Sequence, residues 1–236
     1  MKLLKRIRWR RLEKARAKAS KKLPGSECRH ALQSALPDPN TAVSEAPMLA
    51  IDLEMTGLDP ARHQIVSIGW VPLTAGAIEL AGANEVMMRP DPSHSVGSSA
   101  TVHGIRDCDR GGGITLEQGL CELLEALRGR VSVFHHAPLD VGFLDRALRR
   151  SFGFGWLNPW IDTLDWHRRR QLQRVDEGAA AGTRLDAVRM HYGLAQRGAH
   201  NALDDALSCA EIALVMARKS RARLIDICAL PSRSRR

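Results

Sequence analysis

The stretch LAIDLEMTGLD (49–59) decides how the chain is built. Leu49, Ala50, Ile51 and Leu53 have the apolar character of a strand entering a core. Asp52 and Glu54 interrupt that run two residues apart. Side chains on a strand alternate faces, so both carboxylates point the same way. Neighbouring like charges on one face destabilise a sheet unless something neutralises them. Nothing close in the sequence does so, and a cation is the simplest partner.

The rest of the body extends this element into an α/β pattern. Strands are expected at 48–54, 64–72, 76–81 and 85–89, with turns marked by Gly57, Asp59-Pro60 and Ala75-Gly76. A helix is expected at 115–128, opened by Thr115 as a cap, then a short buried strand at 131–134 and a helix near 139–151. WIDTLDWHRRRQL (160–172) turns from strand to helix, and RVDEGAAAGT (174–183) has the composition of a surface loop. A helix at 184–193 ends at Gly193, and the last strong helix covers 201–218. Meandering strands followed by alternating helices and strands imply a mixed central sheet flanked by helices.

The 236 residues carry a formal net charge of +9, but the charge is unevenly spread. Residues 1–22 hold eleven Lys/Arg and one acid, and 218–236 hold seven and one, which leaves a net of −7 for 23–217. All seven lysines lie in these two end segments. The expected organisation is a basic, helix-prone tail at 1–23, a Pro/Ser/Ala-rich linker at 24–47, a body at 48–217 and a basic tail at 218–236. The N-terminal segment reads first as a solvated tail, then as a nucleic-acid contact, and third as a membrane-surface helix. No run approaches the ~18 apolar residues of a membrane span, so stable insertion is not expected. Five scattered cysteines without a C-x-x-C suit reduced thiols and a cytoplasmic setting.

Two further acids stand out in the body. Asp140 follows the buried strand in VFHHAPLDVGF, at the start of a helix. Asp205 lies in GAHNALDDALSCAEIAL, five residues after His200. Hard divalent cations such as Mg²⁺ or Mn²⁺ prefer carboxylate oxygens, and two of them ~4 Å apart serve phosphoryl displacement. A histidine of ordinary pKa suits the general base at neutral pH.

In this light three segments resemble the DEDDh exonucleases, the superfamily of the DNA polymerase III epsilon subunit, ribonuclease T and oligoribonuclease. DLEMTG (52–57) is similar to D-x-E-T-T-G, HHAPLD (135–140) to H-N-A-x-F-D, and HNALDD (200–205) to H-x-A-x-x-D. QIVSIGWV (64–71), VHGI (102–105), IDTL (161–164) and RLDAVRMHYGL (184–194) echo the family between them. The resemblance covers about 48–217. It implies a ribonuclease H-like fold and two-metal hydrolysis from a 3′ end, releasing 5′-mononucleotides. Asp52, Glu54, Asp140 and Asp205 would hold two divalent cations, Mg²⁺ or Mn²⁺, and His200 would activate water. Met55, Thr56, Gly57 and Leu58 would approach the terminal nucleotide, with His103 and His136 near it.

The chain departs from the family at Met55 for Thr, His136 for Asn and Leu139 for Phe. These positions bear on substrate placement and packing rather than on metal ligation. The implied substrate is nucleic acid with a free 3′ end, with DNA the first choice, in repair or proofreading-like processing. The alternatives are an RNA-processing exoribonuclease of the same fold and a non-catalytic polynucleotide-binding or partner-docking module. A polymerase or another protein is a candidate partner. FGFGWLNPW (152–160) could stack bases, but core packing at a loop is the ordinary role of such a run.

Overall fold

The computed structural model describes residues 2–90, 110–172, 182–197 and 201–231. Within these residues lie six strands: β1 (Met48–Met55), β2 (Ile65–Thr74), β3 (Ala77–Ile78), β4 (Asn84–Met87), β5 (Val131–Phe134) and β6 (Trp160–Asp162). The helices are α1 (Lys2–Ser20), α2 (Ser26–Gln33), α3 (Leu116–Ala126), α4 (Ala137–Phe152), α5 (Thr163–Leu172), α6 (Leu185–His191), α7 (Ala202–Arg218) and α8 (Leu224–Ile227).

The sheet is mixed, in the order β3-β2-β1-β5-β6, with β4 also paired to β2. β1 runs antiparallel to β2 and parallel to β5, and β5 runs parallel to β6. The alternation predicted for β1 sorts its side chains into two layers. Leu49, Ile51 and Leu53 pack with α3 and α4 residues such as Leu123, Phe143 and Leu144. Met48 and Ala50 face α7 with Val71, Val133 and Ala210. Asp52 and Glu54 therefore point to the α7 side of the sheet.

Local chemistry sets the helix ends. The Thr115 hydroxyl accepts from the Gln118 amide at 3.2 Å, and the Gln118 side chain accepts from the Thr115 amide at 2.9 Å. This reciprocal cap starts α3. Gly153, at φ 69°, ends α4 in the left-handed conformation that glycine adopts without strain. The Asn201 side chain accepts from the Asp204 amide at 2.8 Å and opens α7.

Several expectations change. The strand expected at 76–81 is only Ala77–Ile78, followed by a 3₁₀ turn at Leu80–Gly82. Leu80 is exposed there and gives a longer edge strand nothing to bury. The segment 24–47 is not a plain linker, because α2 buries Cys28, Ala31 and Leu32, and Val43 and Ala46 are buried beyond it. Nor is the N-terminus a solvated tail. α1 packs Trp9, Leu12 and Ala19 against the body. Buried Arg16 of α1 donates to the Leu157 carbonyl at 3.1 Å, the Asn158 side chain at 2.8 Å and the Ala31 carbonyl at 2.9 Å. The C-terminal segment also docks, with Ala229 bridged to Trp160 and α8 against α1. The surface loop expected at 174–183 lies almost wholly outside the described residues.

Candidate active site

β1 runs further than its parallel neighbour. Its pairing with β5 covers Met48 to Ala50 only, so the Asp52–Glu54 end projects beyond the end of β5. On the other edge, Asp52 pairs with Gly69 of β2. A Cβ at Gly69 would lie 2.2 Å from the Ala202 backbone carbon, so α7 enters against a strand that has no side chain there. This approach brings Asp205 to the first two acids. One carboxylate oxygen each from Asp52, Glu54 and Asp205 lie within 4.8 Å of one another. The adjacent Asp204 turns away, accepting from the Asn201 side-chain amide at 2.7 Å.

Asp140 reaches the same region from the first turn of α4 and is buried. His136, just before this helix, has φ 75°, in the left-handed region where Asn and His are enriched among non-glycine residues. The family's Asn and this chain's His are therefore both compatible with the same backbone. Asp162 at the end of β6 fixes the turn. It accepts from the amides of His136 at 3.1 Å, Ala137 at 3.0 Å, Leu164 at 3.0 Å and Asp165 at 3.3 Å. One carboxylate thus caps both α4 and α5.

The electrostatics are strongly one-sided. Burial, reinforced by Asp140, Asp205, Glu54 and Glu85, pushes the Asp52 carboxyl well above its usual range. Burial, then Asp205 and Glu85, pushes Glu54 up to about 7. Burial raises Asp140 to about 8, with Asp162 and Glu54 adding to it and the Leu53 backbone amide opposing it. Such mutual repulsion among oxygen donors fits a hard divalent cation. The nearby Cys209 thiol is buried and pushed well upward, which keeps it protonated and unsuited to be a thiolate ligand.

The other expected residues fall in different places. Met55 follows a bulge in the ladder and packs, half-buried, on the Leu53 side of the sheet. The Thr56 hydroxyl accepts from the Gln64 amide at 3.0 Å, closing the turn after β1. Gly57 lies flat against the His63 ring, where a Cβ would approach to 2.6 Å. Leu58 is 76% exposed, and His136 is exposed at the mouth of the α4 turn. His103 and His200 lie outside the described residues. In 152–160, Phe152, Phe154 and Trp156 are buried in the core, with Trp156 edge-on to Phe134.

The sequence reading missed Gly69, Glu85 and Asp162. Asp162 and Gly69 lie inside segments it had noted, but their roles depend on cross-strand neighbours. Glu85 joins the acids because it pairs with Gly69 from the other side, and only the β2–β4 register reveals that.

Comparison with known proteins decides the family. The family described as Exonuclease, RNase T, matches residues 49–213. The chain belongs to this exonuclease family. A PolC-type DNA polymerase III of Thermotoga maritima is 31% identical over 176 residues, 74% of this chain. The match spans only 12% of that polymerase. A DNA polymerase III epsilon subunit of Aquifex aeolicus is 27% identical over 165 residues, 70% of this chain and 77% of the relative. Among solved structures, the nuclease domain of 3′hExo, a DEDDh family member bound to rAMP, aligns with a TM-score of 0.62 at 18% identity. That alignment covers 76% of this chain and 95% of the other. Escherichia coli exonuclease I in complex with a dT13 oligonucleotide aligns at 0.60 and 16% identity, over 75% and 42% of the two chains. The fold of this exonuclease family member is thus the ribonuclease H-like α/β fold with a mixed central sheet. Family membership and the Asp52, Glu54 and Asp205 cluster, which could hold a metal ion, are thus on one domain. Among the described residues no helix is long and apolar enough to cross a membrane.

Proposed function

We propose that the chain is a metal-dependent 3′→5′ exonuclease acting on DNA. It would hydrolyse phosphodiester bonds from single-stranded or frayed 3′ ends and release 5′-mononucleotides, in repair or proofreading-like processing. The observation that carries this reading is the convergence of Asp52, Glu54 and Asp205 within one oxygen-rich cluster of an exonuclease domain.

When bound, two divalent cations, Mg²⁺ or Mn²⁺, would supply Lewis-acid stabilisation of the attacking and leaving oxygens. Asp52, Glu54, Asp140 and Asp205 are the residues proposed to hold them. His200 would take the proton from the attacking water, a general-base role that imidazole chemistry serves near neutral pH. The backbone of 56–58 and the exposed Leu58 would seat the terminal nucleotide, with Met55, His103 and His136 around it. Asp162 would act through position, holding the turn that delivers Asp140.

RNA is the second reading, supported by the rAMP bound to 3′hExo. The polymerase III relatives support a polymerase as protein partner. The test uses 5′-labelled single-stranded DNA, duplex DNA and RNA of one sequence with Mn²⁺. A ladder shortening from the 3′ end supports the reading, and the relative rates choose the substrate. Release of label from the 5′ end, or cleavage at internal sites alone, overturns it.

A further inference from the structure

The family match begins at residue 49, so α1 lies outside it, yet α1 is firmly docked. Trp9, Leu12, Arg16 and Ala19 face the body, which leaves a basic side facing solvent. Along that side Arg8, Arg11, Lys14, Lys18 and Lys22 are exposed and line one groove of about 940 Å³. Arg11, Lys14 and Lys18 make no ion pair or side-chain hydrogen bond among the described residues.

A second groove, of about 540 Å³, continues from the first through Arg8. Its walls include Lys5 and Arg8 of α1, Arg168 and Arg169 of α5, and His136 and Asp162. This groove therefore opens at the turn one helical step from Asp140. Arg169 is paired with Asp165 at 2.7 Å, whereas Arg168 is exposed and makes no ion pair among the described residues. Lys5 and Arg8 reach over the C-terminal segment, donating to the carbonyls of Ile225 at 2.9 Å and Leu230 at 3.2 Å. Their positive ends are held at the groove rather than left free.

We propose that α1 and the start of α5 form a basic track that holds the sugar-phosphate backbone of a polynucleotide strand, upstream of the end that enters the carboxylate site. The inference rests on the nuclease reading for what lies at the end of the track. Charge complementarity carries it, since an acidic body repels a polyanion and the docked helix returns positive charge beside the site. Lys5 to Lys18 spans about 20 Å of helix at 1.5 Å per residue. That length is enough to meet several consecutive phosphates of a strand. Cations along a backbone recognise phosphate regardless of base, so the track confers length dependence rather than sequence preference.

The test measures binding of fluorescent dT20 and dT3 to the full chain in EDTA, where no hydrolysis competes. The variant is Arg11→Glu/Lys14→Glu/Lys18→Glu, checked for fold by circular dichroism. Arg168→Glu and the milder Arg11→Gln/Lys18→Gln serve as further variants if the triple variant does not fold. The track predicts at least a tenfold weaker Kd for dT20 and less than a twofold change for dT3. It also predicts a salt slope for dT20 shallower by about 2, at ~0.7 per phosphate contact on a single strand. Unchanged dT20 affinity and slope overturn the proposal, and so does an equal loss for dT3. Loss of binding to phosphatidylglycerol vesicles with dT20 binding intact would overturn it in favour of a membrane surface. Hydrolysis by the unmodified protein is scored separately, so a failed nuclease reading leaves the binding result to decide the track.

Discussion

Asp52 and Gly69 are cross-strand partners, and the side chain that Gly69 lacks is what admits the first turn of α7 beside Asp52. The acid and the glycine form one device. The acid needs a second carboxylate from a distant element, and the glycine leaves room for the helix that carries it.

Gly69→Ala tests this relationship. The added Cβ meets backbone rather than a flexible side-chain tip, so α7 must shift. Overpacking of this kind costs about 1–3 kcal/mol. Activity should fall about a hundredfold or more, because Asp205 moves with the helix. Denaturant melts and initial rates check both parts. Wild-type activity in a stably folded variant would contradict the geometry.

Asp162→Ala should act without removing any proposed cation ligand. It leaves the amides of His136, Ala137, Leu164 and Asp165 without their shared acceptor. The expected cost is about 2 kcal/mol of stability. Activity should fall at least tenfold, with part of it recovered in Asp162→Asn, which keeps one acceptor oxygen. Equal activity in wild type and Asp162→Ala would remove the positioning role.

The raised carboxyls make metal-free stability depend on pH. Glu54 and Asp140 rise from 4.5 and 3.8 to about 7 and about 8 on folding, and Asp52 also rises. Between those values the folded state binds more protons than the unfolded chain. Stability is therefore fully present below about pH 4 and is lost as pH rises through about 7 to 8. Thermal melts in EDTA should show Tm falling from pH 5 to pH 8 through these groups. Mg²⁺ should raise Tm more at pH 8, where the ligands are ionised, and Asp52→Asn should weaken both effects. A larger Mg²⁺ effect at pH 5 than at pH 8 would contradict the cluster.

Arg16→Ala should release α1. Three hydrogen bonds and a buried side chain hold this point of the helix to the body. The loss should be about 2–4 kcal/mol locally. Trypsin should then cut within 2–22 much faster than in the unmodified protein. An unchanged cleavage rate would show that Trp9 and Leu12 anchor the helix without it.

Much of this architecture was legible because its signals are local. The period of β1 set the face of Asp52 and Glu54, and Thr115 and Gly193 marked helix ends by their own chemistry. Asp205 was separable from Asp204 only through the family motif, and the structure adds the reason, since Asn201 engages Asp204. The docking of α1 was not legible. Nine basic residues mask the apolar side of that helix, and its burial depends on Arg16 finding carbonyls far away in the sequence. Glu85 and Gly69 were hidden for a similar reason, because strand register is not written in either strand alone.

The central claim is that this carboxylate cluster, loaded with divalent cations, cleaves nucleic acid. The most direct measurement compares wild type and folded Asp52→Ala on 5′-labelled single-stranded DNA, first in EDTA and then with excess Mg²⁺. The account predicts no cleavage by wild type in EDTA, 3′-end shortening once Mg²⁺ is added, and a rate for Asp52→Ala lower by about 10³ or more. Cleavage unaffected by EDTA, or an Asp52→Ala protein that keeps most of its rate, would contradict it.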